Sequence, residues 1–258
     1  MRRGVSVAVA AAALALAACS SSSAGGAESS SGASVSGSIT VLAASSLKEA
    51  FAKLGQQFEA AHPGSKVTFS FGASSDLAQQ VVNGSPADVF ASASTKTMTT
   101  VTDAGDATNP QNFATNVMEV ATPPSNPAGV TTLADVAKPT VKVAVCAPAV
   151  PCGVAAAALF QKNNLTVTPV TQEADVKSVL AKVELNAVDA GIVYVTDVQA
   201  AGDKVKGIAI DPSQNVTTTY PIAVIKASKQ TATAQAFVSY VLSADGRAVL
   251  TAAGFGAP

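Results

Sequence analysis

The chain has 258 residues, 16 of them Lys or Arg and 17 Asp or Glu, for a formal net charge of −1. Nearly half of it (48%) is hydrophobic, aromatic residues make up 5%, and tryptophan is absent. A chain so weakly charged and without a basic run is a poor partner for nucleic acid, and three tyrosines leave few platforms for a sugar.

The amino terminus does not belong to the fold. Met1-Arg2-Arg3 is a basic start, and Val5 through Ala18 is almost wholly apolar but too short to span a bilayer. Residues 1–18 therefore read as a secretory signal. They end in Leu16-Ala17-Ala18-Cys19, which resembles the lipobox of bacterial lipoproteins, and this resemblance implies cleavage before a lipidated Cys19. Residues 19–37 are almost entirely Ser, Gly and Ala, with Glu28 the one charge. Such a segment has too little apolar surface to order itself and would hold the folded part of the chain ~20–25 Å from its anchor on average. Without Arg2 and Arg3 the balance is 14 basic against 17 acidic residues.

The remaining chain, from about residue 38, is long enough for one large domain or two small ones. Strands are expected near 38–42, 66–71, 88–91 and 114–121, with helices near 46–61, 75–83 and 95–104 between them. Leu47, Ala50, Phe51, Leu54 and Phe58 have the spacing of a helix face. A second set comes next, with strands near 141–145, 167–170, 188–195 and 205–210 and helices near 131–137, 153–163, 174–186 and 196–201. The alternation predicts an α/β architecture of mainly parallel sheets flanked by helices. Thr217–Lys226 then reads as a long extended segment before helices over Thr231–Leu242 and Ala244–Ala252. Pro123-Pro124 with Pro127, and Tyr220-Pro221, mark two crossovers of a chain that leaves one lobe and returns to it, with a cleft between the lobes.

Cys146 and Cys152 bracket five residues. Outside the cytoplasm two such neighbours are expected to be bridged, for roughly 2 kcal/mol of stabilisation by so small a loop. A zinc or redox site fits less well, because the spacing is not C-x-x-C and His62 is the single histidine. His62 sits in Ala61-His62-Pro63-Gly64, a helix end, so nucleophilic serine chemistry lacks a base. No G-x-S-x-G, phosphate loop or G-x-G-x-x-G occurs. An enzyme is not expected.

The chemistry that remains is at helix starts. Ile39-Thr40-Val41-Leu42-Ala43-Ala44 runs into Ser45-Ser46, and Val67-Thr68-Phe69-Ser70-Phe71-Gly72-Ala73 into Ser74-Ser75. Cys152-Gly153 after Pro151 opens a third helix, and Glu173-Ala174-Asp175-Val176 a fourth. The first turn of a helix has backbone N–H groups without intrahelical partners, and these together with serine hydroxyls make a neutral cup for a small anion. Taken singly each start reads as a routine N-cap; their number, and their place after strands, favours the cup. Asp76 and Asp175 read as caps. Tyr194, ending the apolar run Ala190-Gly191-Ile192-Val193, either caps the core with its ring or directs its hydroxyl into a cleft.

The strings I-T-V-L-A-A-S-S-L (39–47), F-G-A-S-S-D-L-A (71–78), G-S-P-A-D-V-F-A-S-A (84–93), V-P-C-G (150–153), A-D-V-K (174–177), G-I-V-Y (191–194) and Y-P-I-A-V (220–224) together resemble the periplasmic molybdate-binding proteins of ABC transporters. The resemblance implies the two-lobed periplasmic binding protein fold of type II, with 38–120 plus 222–258 as lobe I, 121–221 as lobe II, and two crossover strands. It implies an oxyanion held by Ser46 and Ser74 through hydroxyl and N–H, by Cys152 and Val176 through the backbone N–H, and by the Tyr194 hydroxyl. Many members have alanine where Cys152 stands, a departure that leaves the N–H in place. Molybdenum would be present only as the bound oxyanion, molybdate or tungstate, with no separate cofactor. The partners implied are an ABC permease with its ATPase, and the membrane through the lipid on Cys19. The protein would work as an extracytoplasmic monomer. Phosphate, protonated near neutral pH, would want an acceptor that these five positions do not offer. A receptor for sulfate, thiosulfate or another oxyanion, and a surface lipoprotein that senses an oxyanion or adheres without transport, are the alternatives.

Overall fold

The computed structural model describes residues 35–258, so the basic start, the apolar run, Cys19 and most of the Ser/Gly/Ala segment lie outside the described residues. The first elements are β1 (Gly37–Ala44), a 3-10 turn (Ser45–Leu47) and α1 (Lys48–Ala61). They are followed by β2 (Ser65–Gly72), α2 (Ser74–Val82), β3 (Val89–Ala91), α3 (Thr95–Asp103) and the long β4 (Gln111–Thr122). A 3-10 turn (Leu133–Ala137) leads to β5 (Val143–Cys146), α4 (Pro151–Lys162), β6 (Thr171–Glu173), α5 (Val176–Glu184), β7 (Ala190–Tyr194), α6 (Val195–Ala201) and β8 (Lys206–Ala209). The chain closes with β9 (Thr217–Val224), α7 (Thr231–Leu242) and α8 (Ala244–Ala252).

The strands run in the order β2-β1-β3-β9-β4-β7-β5-β6, with β8 beside β4. β1 pairs in parallel with β2 and β3, and β5 with β6 and β7. The expectation of mainly parallel sheets holds only for these pairs. Every antiparallel pairing between these strands involves β4 or β9, because these two strands cross between the parallel groups, β9 running against β3 and β4 against β7. β4 changes partners along its length: Gln111 to Val117 pair with β9, and from Met118 onward the strand lies between β7 and β8.

Alternation of side chains along the strands sets the core. Ile39, Val41 and Ala43 of β1 join Phe51, Leu54 and Phe58 of α1 and Phe237 of α7 in one buried cluster. Leu42, on the opposite face, joins Leu77 of α2, Phe90 of β3 and Met98 of α3 in another. A third cluster surrounds β4, β5 and β7 with Met118, Val120, Val143 and Ile192, packed against Leu159 of α4 and Val179 of α5.

Two expected elements differ. The strand placed at 167–170 begins instead at Thr171, opposite Ala144; Pro169 has no N–H to give a ladder, and only Val170 N–H reaches the neighbouring Val143 carbonyl, at 2.9 Å. The helix placed at 131–137 is a short 3-10 turn, set by the Asp135 carboxylate accepting from the N–H groups of Thr131 and Thr132. No described helix is long and apolar enough to cross a membrane.

Candidate functional site

Five chain segments leave the carboxyl ends of parallel-group strands and converge. β1 ends at Ala44 before Ser46, β2 at Gly72 before Ser74, β5 at Cys146 before the loop to Cys152, and β6 at Glu173 before Val176. β7 ends on Tyr194 itself. All five residues line one cavity, together with Ala44, Ser45, Gly72, Ala73, Ala93, Val150, Pro151 and Asp175. The cavity is small, with about 230 Å³ of space between its lining atoms, part of it open to solvent. Its lining has no Lys or Arg, and Asp175 is its one carboxylate.

The serines are not caps. Ala44 and Ala73 occupy the N-cap positions, and no side chain caps either turn. The Ser46 hydroxyl instead meets the Tyr220 hydroxyl at 2.9 Å, and Ser74 Oγ accepts from the Ala93 N–H at 3.0 Å. Asp76, expected as a cap, lies in the first turn of α2 with Ser75 Oγ donating to it at 3.3 Å. Asp175 is a true N-cap: its Oδ1 accepts from the N–H groups of Lys177 at 2.8 Å and Ser178 at 3.1 Å. The N–H of Val176, first in α5, is left outside that cap.

On the α4 side the N-cap is Val150, Pro151 starts the helix and Cys152 comes second. Pro is suited to this place, where an N–H would have no helical partner. Cys152 is bonded to Cys146, so the bridge expected from the sequence is present. It closes the loop over the carboxyl end of β5. Gly153 packs so closely that a Cβ there would overlap the carbonyl oxygen of Ala147.

Tyr194 does both things left open by its place in the sequence. Its ring is buried edge-on to Tyr220, with centroids 6.2 Å apart, and its hydroxyl has no hydrogen-bond partner among the described residues. Burial holds its pKa well above the ordinary value, with Tyr220 and Asp197 adding to the shift. The phenol therefore stays protonated and remains a donor. Its backbone N–H donates to Asp197 Oδ2 at 3.1 Å.

Several polar neighbours of the cavity had little signal in the sequence. Lys177 Nζ lies 2.7 Å from Glu49 of α1 and 3.0 Å from Asp197 of α6. Asp197 is fully buried; burial raises its pKa and Lys177 opposes the rise. Burial also pulls the Lys177 pKa down, but the two carboxylates outweigh it and hold the ammonium charged. Asn116 and Thr196 are buried beside Tyr220. The one available hint was spacing, since Glu49 lies three residues after Ser46, Lys177 one after Val176 and Asp197 three after Tyr194. His62 ends α1 as its C-cap, its N–H donating to Phe58 O at 2.9 Å.

The model of the family described as bacterial extracellular solute-binding protein matches residues 39–256. The chain belongs to that family. The molybdate-binding protein ModA of Mycobacterium bovis is 42% identical over 222 residues, covering 86% of this chain and 85% of that protein. Among solved structures, the periplasmic molybdate-binding protein of Azotobacter vinelandii matches with a TM-score of 0.76 at 21% identity, over 85% of this chain and 99% of that one. The sulfate-binding protein SubI of Mycobacterium tuberculosis matches with a TM-score of 0.75 at 19% identity, over 84% and 86%. The two structural likenesses establish the periplasmic binding protein fold, and the converging strand ends of this solute-binding protein are where such open α/β sheets take ligands.

Proposed function

We propose that this solute-binding protein captures molybdate, and tungstate of the same charge and shape, in the cavity lined by Ser46, Ser74, Cys152, Val176 and Tyr194, and delivers it to an ABC permease. The observation that carries the reading is a small cavity lined by hydroxyls and helix starts, with the Asp175 carboxylate engaged in capping α5 and the Tyr194 hydroxyl unpartnered among the described residues. A buried dianion loses a large hydration energy and needs donors on every oxygen. Hydrogen bonds to a charged group contribute roughly 1.5–3 kcal/mol each, and helix starts add up to ~2 kcal/mol. Several acting together supply the ~8 kcal/mol of micromolar binding without a Lys or Arg that would resist release.

The choice of anion rests on the 42% identity to proteins named for molybdate. The likeness to a sulfate-binding protein speaks only for the fold. Binding is favoured over catalysis by the partner of Ser46, which is a phenol and not an imidazole or carboxylate. In this reading two lobes, 38–120 with 222–258 and 121–221, close on the anion, and the Lys177–Glu49 contact joins α5 to α1 across the closure. Lipidation of Cys19 would keep the protein at the outer face of the membrane beside its permease.

Isothermal titration calorimetry with molybdate, tungstate, sulfate and phosphate tests the assignment. Tight binding of molybdate and tungstate with far weaker binding of phosphate is expected. Heat from sulfate and none from molybdate would make the protein a receptor for the smaller oxyanion. Molybdate binding without a neighbouring permease and ATPase gene would favour a sensor.

A further inference from the structure

One backbone group fixes the orientation of the Asn116 amide behind Ser46. The Val117 N–H can only donate, and its partner at 3.0 Å is a side-chain atom of Asn116. That atom must be the amide oxygen, so the other end of the Asn116 side chain is the NH₂ group, which can only donate. It donates to Thr196 Oγ1 at 2.8 Å and to Tyr220 Oη at 3.4 Å. Tyr220 is fully buried, and its hydroxyl lies 2.9 Å from Ser46 Oγ, a contact in which either oxygen can be the donor; with one lone pair taken by Asn116, donation of its single proton to Ser46 is the favoured direction. Ser46 then receives from Tyr220, and its own proton is free for the cavity that it lines. Ser74 reaches the same condition by another route, since its oxygen receives from the Ala93 N–H.

We propose that Asn116 and Tyr220 are positioning residues that hold Ser46 as a hydrogen-bond donor, and that they thereby make the site select unprotonated tetrahedral oxyanions over protonated ones. The inference rests on the oxyanion reading of the cavity and extends it to two residues that do not line it. An isolated serine hydroxyl can turn and accept a proton from an anion such as hydrogen phosphate. A serine with one lone pair already receiving the Tyr220 proton has its own proton turned away from Tyr220, which favours donation into the cavity over acceptance. Both residues lie on the crossing strands, Asn116 on β4 just before its partners change and Tyr220 on β9, so the donor state of Ser46 depends on the registry of those strands.

The test is a double-mutant cycle between Tyr220→Phe and Ser46→Ala, with molybdate and phosphate affinities measured by calorimetry near neutral pH. Packing of the Tyr220 ring against Phe113, Tyr194 and Phe255 is retained by phenylalanine. Tyr220→Phe is expected to weaken molybdate binding about tenfold, the loss of one oriented hydrogen bond, and to narrow the molybdate-to-phosphate ratio. In the Ser46→Ala background the same change should add less than about twofold, because the two act as one unit. Asn116→Asp replaces the donor facing Tyr220 by an acceptor and should narrow the ratio further. Additive effects in the cycle, or an unchanged ratio in both Tyr220→Phe and Asn116→Asp, would overturn the inference while leaving the oxyanion site standing. Wild-type protein that binds neither anion would overturn the reading beneath it as well.

Discussion

The two sides of the cavity reach the same chemistry by different means. On the side of β1 and β2 the residues after the strand ends are serines, and their hydroxyls are contacted from behind by the Tyr220 hydroxyl and by the Ala93 N–H. On the side of β5 and β6 the residues are Cys152 and Val176, whose side chains offer an oxyanion nothing. There the backbone is held in place by other residues: the Cys146–Cys152 bridge, the close fit of Gly153 under Ala147, and the Asp175 cap. One side should thus be sensitive at the lining residues themselves, the other at their supports.

The largest effect is expected at a support. In Gly153→Ala the new Cβ cannot coexist with the Ala147 carbonyl oxygen, and the α4 start must move. Overpacking of this kind costs ~1–3 kcal/mol of fold stability, and the shifted N–H of Cys152 should leave molybdate binding weaker than any single hydroxyl deletion does. Calorimetry on folded Gly153→Ala protein checks this; wild-type affinity would mean that the α4 start contributes no donor.

Next come the hydroxyl deletions, each expected to weaken binding by roughly 1–3 kcal/mol. They should separate by stability. Tyr194→Phe removes an oxygen with no partner among the described residues, so affinity falls while the melting temperature holds or rises. Ser74→Ala strands the Ala93 N–H in a buried place, so affinity and melting temperature fall together. Equal melting temperatures for the two variants would contradict this difference in hydrogen bonding. Of the same size is Val176→Pro. Proline is tolerated at the first position of a helix, and Asp175 before it is already extended, at φ −156° and ψ 172°. The change deletes an N–H without breaking α5, and a roughly tenfold loss of affinity at unchanged helicity is expected.

Ser46, Ser74, Cys152 and Tyr194 were legible in the sequence because each lies at the end of a largely apolar strand or at the helix start after one; Val176 follows the polar strand Thr171–Glu173 and was marked by its helix start alone. The alternation of elements was legible for the same reason, and α7 and α8 fall where periodicity puts them, over Thr231–Leu242 and Ala244–Ala252. The groups behind the cavity were not. Asn116 lies in a strand where Val117 and Met118 come next, and nothing local distinguishes it from a surface asparagine. Its burial comes from β9 and α6, which are distant in sequence: Tyr220 is 104 residues away and Thr196 is 80. Lys177 and Glu49 are 128 residues apart, and either alone reads as a solvated helix charge. The antiparallel character of β4 and β9 was hidden likewise, since strand direction depends on where the chain returns and not on what the strand contains.

The smallest expected effect sharpens the comparison most. Val176→Ala trims a side chain that is 2% exposed, and at ~0.8 kcal/mol per buried methylene the fold should lose about 1.5 kcal/mol. The N–H is untouched, the Asp175 cap binds Lys177 and Ser178 and not residue 176, and alanine is the best helix former. Molybdate affinity should therefore stay within about twofold of wild type while the unfolding midpoint drops. Val176→Pro should do the reverse, keeping more of the side-chain volume and losing the donor. A variant that is less stable but binds fully, beside one that folds but binds poorly, would show that the β6 end contributes its backbone alone. If Val176→Ala weakened binding as much as Ser46→Ala, the valine side chain would be shaping the cavity, and the contrast between side-chain and backbone sides would fail at that position.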